Sequence, residues 1–188
     1  MFKRLILSIF IVFIFPNIET GEYIYDIEIK GISMIAGNVG ECVLKIKKNE
    51  SNEYEINIVT QTTNLARILY PYIDEIKLKV DSYFSLLSIE QNISNKKQKF
   101  KIEVNKHEKT IIRNGKKLNF YADTLFSPYS LIFLLRKKEL EINNQYSYKM
   151  FSRKKIKDIL LKVLKIESVK VPYGTFECFN IKPITEKN

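Results

Sequence analysis

The side chains that could support acid–base, metal or nucleophile chemistry are few in this chain. His107 is the single histidine, and its polar surroundings are typical of a solvated strand end. One histidine and two separated cysteines cannot supply the paired ligands of an ordinary zinc site. The carboxylates of Asp74 and Glu75 would point to opposite faces of a strand and would not converge. The sequence also lacks a Gly-x-Ser-x-Gly elbow and a phosphate-binding glycine loop. We therefore expect no catalytic residue, no metal, no cofactor and no enzymatic activity.

Asp123 and Arg136 are the polar pair with the clearest potential for binding, because they flank an apolar segment. In one interpretation, Asp123 satisfies backbone donors near a helix start, and Arg136 caps the helix end or pairs with a sheet carboxylate. In the other, Arg136 is a buried cation that receives an anionic headgroup. Tyr129 and Phe133 belong to aromatics that either fill a core or line an apolar cavity. Arg136, Tyr129 and Phe133 are thus the candidate ligand-binding residues.

Two cysteines, Cys42 and Cys178, leave two alternatives open. In an oxidising compartment they could form one disulfide. Cysteine is also among the most commonly buried residues, so two separate core thiols are the other alternative. Sequence spacing cannot decide between them, because it does not place two Cα atoms within bonding distance.

The first residues predict export. Lys3 and Arg4 precede an apolar run over residues 5–15, which has the length of a signal peptide and falls short of the ~20 residues that span a bilayer. We expect residues 1–20 to be a cleaved signal peptide, or else an N-terminal anchor held in the membrane through residues 5–15. Residues 21–188 would then form a single β-rich domain in the periplasm or another extracytoplasmic space.

The chain is basic, with a formal net charge of +10. Such a charge suits an anionic membrane, lipopolysaccharide or cell-wall polymers as partners. The lysines are spread in short clusters at segment ends, and no Arg-rich or aromatic recognition motif is present. We therefore expect no nucleic-acid partner.

Alternation of apolar and polar residues predicts a series of strands. In Glu22–Lys30, tyrosine and isoleucine alternate with acidic and basic residues, which is the pattern of a half-buried strand. Further strands follow at roughly ten-residue spacing, and Asn114-Gly115 is the residue pair of a tight hairpin turn. We predict a mainly β protein: a single antiparallel meander sheet, curved into a barrel or half-barrel.

One segment, Ser127–Lys138, predicts a short amphipathic helix packed on that sheet. Ser127 is a good N-cap, and Pro128 suits the first helical position. The basic residues at its end favour the negative end of the helix dipole. The segment Ile156–Ile166 fits both helical and strand spacing, and its periodicity alone cannot decide.

Several motifs follow one another in a set order along the chain. They are Tyr23–Ile29 with Gly31-Ile32 and Ala36-Gly37, then Leu69–Asp74, Asp81–Phe84, Asp123–Arg136, and Glu167–Pro183 with Val169, Pro172, Gly174, Phe176 and Cys178. In this order they resemble the exported bacterial proteins grouped as domain of unknown function 3108. The resemblance implies an extracytoplasmic β fold in which Ile156–Val171 is mainly strand. It implies no settled biochemical role.

Two functions remain open from the sequence. The first is a non-enzymatic binding module that holds a lipid or another apolar ligand under the Ser127–Lys138 helix. The second is a structural or interaction protein of the cell envelope, with a fully packed core and no ligand. A pocket of several hundred Å³ favours the first, and a core at normal packing density favours the second.

Overall fold

The computed structural model describes residues 10–13, 20–28, 38–113, 115–152, 155–171 and 173–184, with the backbone alone described for 10–13. Strands make up 62% of the residues that the structure describes. The chain divides into two compact units. One is Glu19–Asp123, and the other combines Thr124–Asn188 with Met1–Ile18. Most of the predicted leader and the glycine-containing segment 31–37 lie outside the described residues.

The first unit contains an eight-stranded antiparallel sheet in which every strand pairs with the next along the chain. This is the predicted meander. Its strands are β2 (Gly21–Ile27), β3 (Gly40–Lys48), β4 (Tyr54–Thr62), β5 (Ile73–Val80), β6 (Leu86–Ile93), β7 (Gln98–Asn105), β8 (Thr110–Arg113) and β9 (Lys116–Asn119).

One face of this sheet is a continuous aliphatic surface. The strand register aligns one branched or long aliphatic side chain from each of five neighbouring strands, and all five are buried. They are Ile46, Ile56, Leu78, Ile89 and Ile102. Because side chains alternate along a strand, the opposite face collects the polar positions. Lys45, Asn57, Lys77, Glu90 and Lys101 form one row there.

The second unit contains a four-stranded antiparallel sheet with the order β1-β12-β11-β10. Its strands are β1 (Phe10–Phe13), β10 (Gln145–Ser152), β11 (Lys155–Val171) and β12 (Gly174–Ile184). The long strand β11 resolves the ambiguous segment in favour of strand, as the resemblance implies. The short β1 comes from the predicted leader and pairs with β12 from Phe10 opposite Ile181 to Phe13 opposite Cys178.

Two α-helices and one 3₁₀ turn occur among the described residues. Helix α1 (Asn64–Leu69) joins β4 to β5, and the 3₁₀ turn Ser94–Lys96 joins β6 to β7. Helix α2 (Pro128–Lys137) lies between its N-cap Ser127 and its C-cap Lys138, within the predicted bounds. Within the described ranges, we find no helix with the length and apolarity needed to span a bilayer.

The mainly β, antiparallel prediction is confirmed, but two parts of it are wrong. The strands form two sheets and not one, because residues 120–144, including α2, separate β9 from β10 and no described hydrogen bond joins these strands. The described strands form no closed barrel, and the eight-stranded sheet is not strongly curled. Its end strands β2 and β9 each pair with one neighbour alone, whereas closure would require them to pair with each other. Helix α1 was also not predicted.

Candidate functional site

Helix α2 is fixed at its start by a reciprocal pair of serine hydrogen bonds. The Ser130 backbone N–H donates to Ser127 Oγ at 3.0 Å, and the Ser127 backbone N–H donates to Ser130 Oγ at 2.8 Å. Both serines are buried. This capping box satisfies two backbone donors that a helix start otherwise leaves free. The cap predicted at Ser127, with Pro128 in the first turn, is confirmed.

The structure places the three predicted ligand-binding residues on this helix. Phe133 is buried, while Tyr129 and Arg136 are half-buried. The side chains of α2 that pack inward join a core cluster with the second sheet. Its buried members are Phe126, Leu131, Leu135, Leu140, Met150, Leu161, Val163 and Ile181. The helix therefore covers a filled apolar layer at these positions.

Two buried polar atoms on α2 and on neighbouring β10 have no hydrogen-bond partner among the described residues. They are Arg136 Nε and the Tyr148 hydroxyl oxygen. Helix α2 contacts β10, and Lys138 Nζ lies 4.7 Å from the ring centre of Tyr146 and 5.8 Å from that of Tyr148. A buried polar group without a partner costs free energy. The end of α2 beside β10 thus combines cations, aromatic rings and unsatisfied polar atoms.

The phenol of Tyr148 is held in its neutral form. Burial raises the pKa of Tyr148 to about 12, and the neighbouring Tyr146 adds to the effect. Its ring meets Phe126 edge to face, with the ring centres 5.5 Å apart. At neutral pH the hydroxyl is therefore a hydrogen-bond donor at the edge of an apolar layer.

The structure gives Asp123 a different role from the predicted one. Its side chain is 96% exposed and pairs with Lys109, whose ammonium nitrogen lies 3.1 Å from the Asp123 carboxylate. Asp123 does not cap α2, because Ser127 and Ser130 satisfy the helix start themselves. An exposed ion pair of this kind contributes little to stability, about 0–1 kcal/mol.

The remaining predicted chemistry-bearing residues lie apart. His107 is exposed in the turn between β7 and β8, as predicted. No group of three or more histidine, cysteine or acidic side chains suited to a metal occurs among the described residues. Cys42 is half-buried in β3 and Cys178 is buried in β12, and both are free thiols in the structure. Burial and the Glu167 carboxylate raise the pKa of the Cys178 thiol. The disulfide stays a prediction.

The sequence did not predict a half-buried polar network in the first unit. Gln91 Nε2 donates to both carboxylate oxygens of Asp74 at 2.8 Å, and the Tyr72 hydroxyl donates to the same carboxylate at 3.2 Å. Burial, followed by the negative charge of Asp74, raises the pKa of Tyr72 to about 12. Asp74 and Gln91 occupy positions where strand alternation calls for an apolar side chain. This interruption of the apolar alternation is the sequence feature that could have indicated the network.

A groove of about 600 Å³ runs over the polar face of the first sheet, across β4 to β7. Four of its seven charged side chains form two ion pairs. The Lys79 ammonium lies 2.8 Å from the Glu55 carboxylate, and that of Lys101 lies 2.7 Å from Glu103. The hydrogen bond from Lys79 lowers the pKa of Glu55. The groove is therefore a solvated face of mixed charge and not an apolar ligand cavity.

The fold and the site define a mainly antiparallel β protein with a capped helix packed on its second sheet. The chain belongs to the family described as protein of unknown function (DUF3108), whose model matches residues 25–188, nearly the whole chain. No curated protein matches the sequence significantly. The same holds for solved structures, none of which gives a significant match.

Proposed function

We propose that the protein is an exported, non-enzymatic binding module of the cell envelope that holds a lipid or another amphiphile with an acidic head. The head would meet Arg136 at the end of α2, and the apolar part would lie against the aromatic side chains Tyr129 and Phe133. The observation that carries the proposal is the buried Arg136 Nε, which has no hydrogen-bond partner among the described residues.

The chemistry of this end of α2 supports an anionic ligand. A guanidinium matches the two oxygens of a carboxylate or phosphate with parallel hydrogen bonds. The neutral Tyr148 hydroxyl, also without a described partner, offers another donor on the neighbouring strand. Lys138 adds a second cation beside the rings of Tyr146 and Tyr148.

The address in the envelope is supported by the first residues of the chain. A cationic start and an apolar run over residues 5–15 have the layout of a signal peptide. In our proposal residues 1–20 are cleaved, or they anchor the protein on the outer side of the membrane. Both forms would leave the family region, residues 25–188, outside the cytoplasm.

A second candidate function is that of a structural or interaction protein of the envelope. The filled apolar cluster between α2 and the second sheet favours it, because a packed core leaves no room for an acyl chain. In that case the polar face of the first sheet or a free strand edge would meet an envelope partner.

Native mass spectrometry of protein gently extracted from its own envelope tests the first candidate. We expect a mass increase that fits one lipid or acidic amphiphile, and its loss in Arg136→Gln. Lys137→Gln is the matched control, because Lys137 is the neighbouring exposed cation. Arg136→Lys keeps the charge but loses the paired donors, so we expect partial occupancy.

A clean mass without ligand for the wild type, obtained under conditions that preserve other envelope lipid complexes, would overturn this proposal. A discrete cross-link to one partner in intact cells would then support the second candidate. Equal ligand loss in Arg136→Gln and Lys137→Gln would show that Arg136 is not the contact.

A further inference from the structure

Helix α1 exposes an unusual amount of apolar surface. It has no buried residue. The side chains of Leu65, Ile68 and Leu69 are 60%, 78% and 84% exposed, and that of Tyr70, which follows the helix, is 58% exposed. Surface leucines scattered singly need no explanation, but a contiguous group marks an interaction site. We call Leu65, Ile68, Leu69 and Tyr70 the α1 patch.

The α1 patch is held in place on the first sheet. The Asn95 amide donates to the Tyr70 hydroxyl at 2.8 Å, and the Tyr70 ring stacks on Tyr72 with their centres 6.3 Å apart. The Thr62 hydroxyl donates to the Tyr70 carbonyl oxygen at 3.0 Å. These contacts attach the end of α1 to β4 and to the 3₁₀ turn. The patch is therefore presented by ordered neighbours at one end of the sheet.

Exposed cations accompany the patch. Arg67 lies within α1, Lys96 ends the 3₁₀ turn whose Asn95 bonds Tyr70, and Lys97 follows that turn. None of the three forms an ion pair with the residues that the structure describes. Carboxylates also lie at this end of the sheet and keep their negative charge: Asp74 accepts hydrogen bonds from the neutral groups of Gln91 and Tyr72, and Glu75 accepts one from Asn92 at 3.4 Å. The three cations are therefore available to an anionic surface.

We propose that the α1 patch docks on the surface of a bilayer containing anionic lipids. Leu65, Ile68 and Leu69 would enter the acyl boundary, and Tyr70 would sit at headgroup level. Arg67, Lys96 and Lys97 would meet the lipid phosphates. The interface between a membrane and water favours exposed apolar side chains with flanking cations and an amphipathic aromatic ring such as tyrosine. This inference rests on the envelope address of the proposed function but not on a ligand at Arg136.

A tryptophan placed in the patch tests the docking directly. The chain has no tryptophan, so Leu69→Trp gives a single tryptophan in the full-length protein, and its emission can be excited apart from that of the tyrosines. On vesicles of phosphatidylcholine with phosphatidylglycerol, we expect a blue shift of its emission and quenching by brominated acyl chains. We expect little shift on phosphatidylcholine alone and a loss of the shift in high salt, since salt screens exposed charges. Tyr173→Trp is the matched control, because Tyr173 is 95% exposed in the second unit, and its emission should not change.

Further variants in the Leu69→Trp background separate the apolar and charged contributions. Ile68→Gln should weaken partitioning about tenfold, the effect of one lost apolar contact. Lys96→Gln and Lys97→Asn should each weaken it about fivefold on anionic vesicles. Asparagine suits position 97, where φ is +47°, because it tolerates the left-handed region. Circular dichroism confirms that each variant is folded.

An emission that stays solvent-like on anionic vesicles would overturn the proposal. So would binding that Ile68→Gln leaves unchanged, because the apolar run at residues 5–15 could then account for it. A solvent-like emission combined with a discrete cross-link from position 69 to another protein would assign the patch to a protein partner instead. Loss of the ligand mass in Arg136→Gln, with the Leu69→Trp shift intact, would separate the two proposals.

Discussion

Two tyrosines with the same raised pKa differ in how their hydroxyls are satisfied. Tyr72 donates to Asp74, whereas the Tyr148 hydroxyl has no partner among the described residues. Both pKa values are raised to about 12 by burial. At neutral pH we expect Tyr148→Phe to keep or slightly raise the free energy of unfolding, because no hydrogen bond is lost. Tyr72→Phe should lower it.

The same two residues predict a loss of stability at high pH. Below about pH 10, the ordinary pKa of a phenol, both rings are neutral in the folded and the unfolded chain, so their full contribution is present. Between about pH 10 and 12 the unfolded chain ionises while the folded chain does not, and the free energy of unfolding falls. We expect on the order of 1 kcal/mol for each tyrosine, because both are partly exposed.

Urea unfolding between pH 8 and 12 measures this effect. Tyr148→Phe and Tyr72→Phe should each flatten the alkaline decline, while Tyr173→Phe, at an exposed position, should leave it unchanged. A decline of the same steepness in all four proteins would refute the assignment.

At the residue scale, the sequence predicted positions better than partners. His107 was predicted to be solvated, and it is exposed. Asp123 was expected at the helix start but pairs with Lys109, because a nearby serine pair already satisfies the helix donors. The Tyr72–Asp74–Gln91 network joins Asp74 on β5 to Gln91 on β6, 17 residues further along the chain, and the pattern of one strand alone does not reveal such a contact.

At the scale of elements, α2 depends on its capping box. Ser127→Ala removes the acceptor of the Ser130 N–H and leaves a buried donor unsatisfied. We expect a loss of about 1–2 kcal/mol in the free energy of unfolding, measured by urea unfolding. Ser147→Ala on β10, at an exposed position, is the control and should change little. An equal, small effect in both variants would show that the cap contributes nothing.

The elements that the sequence predicted are those with a strong local signal. Helix α2 has a cap, a proline and an apolar stripe, and its predicted bounds agree with the structure. Helix α1 was missed because six residues with no buried side chain carry little periodicity, although Leu65, Ile68 and Leu69 have helical spacing. Strand β11 was ambiguous because its partners β10 and β12, and not its own spacing, determine its conformation.

At the scale of the whole molecule, the antiparallel meander was predicted, but the division of the strands into two sheets was not. The alternation of apolar and polar residues shows which residues face inward, and it predicted an apolar face on strands β3–β7. It does not show where hydrogen bonding between consecutive strands stops. That depends on the connection between β9 and β10, where α2 intervenes, and on long-range pairing such as that of β1 with β12.

Cleavage of the leader, as we propose, would remove β1 from the second sheet. In a chain cut after Thr20, every second backbone amide of Cys178–Ile181 should lose its partner on β1 and exchange its hydrogen faster than in the uncut chain. The alternating amides that pair with β11 should keep their protection. Hydrogen exchange followed by NMR measures both sets. Equal exchange in the cut and uncut chains would contradict the pairing.

The β1–β12 pairing also joins residues that lie far apart in the chain, such as Phe10 and Ile181. Contacts between distant residues form slowly, because a long loop must close first. The uncut chain therefore completes its second sheet only after β12 has been synthesised. Until β1 reaches it, the outer edge of β12 offers its backbone groups to any extended strand nearby, so a chaperone that shields this edge would act in that interval.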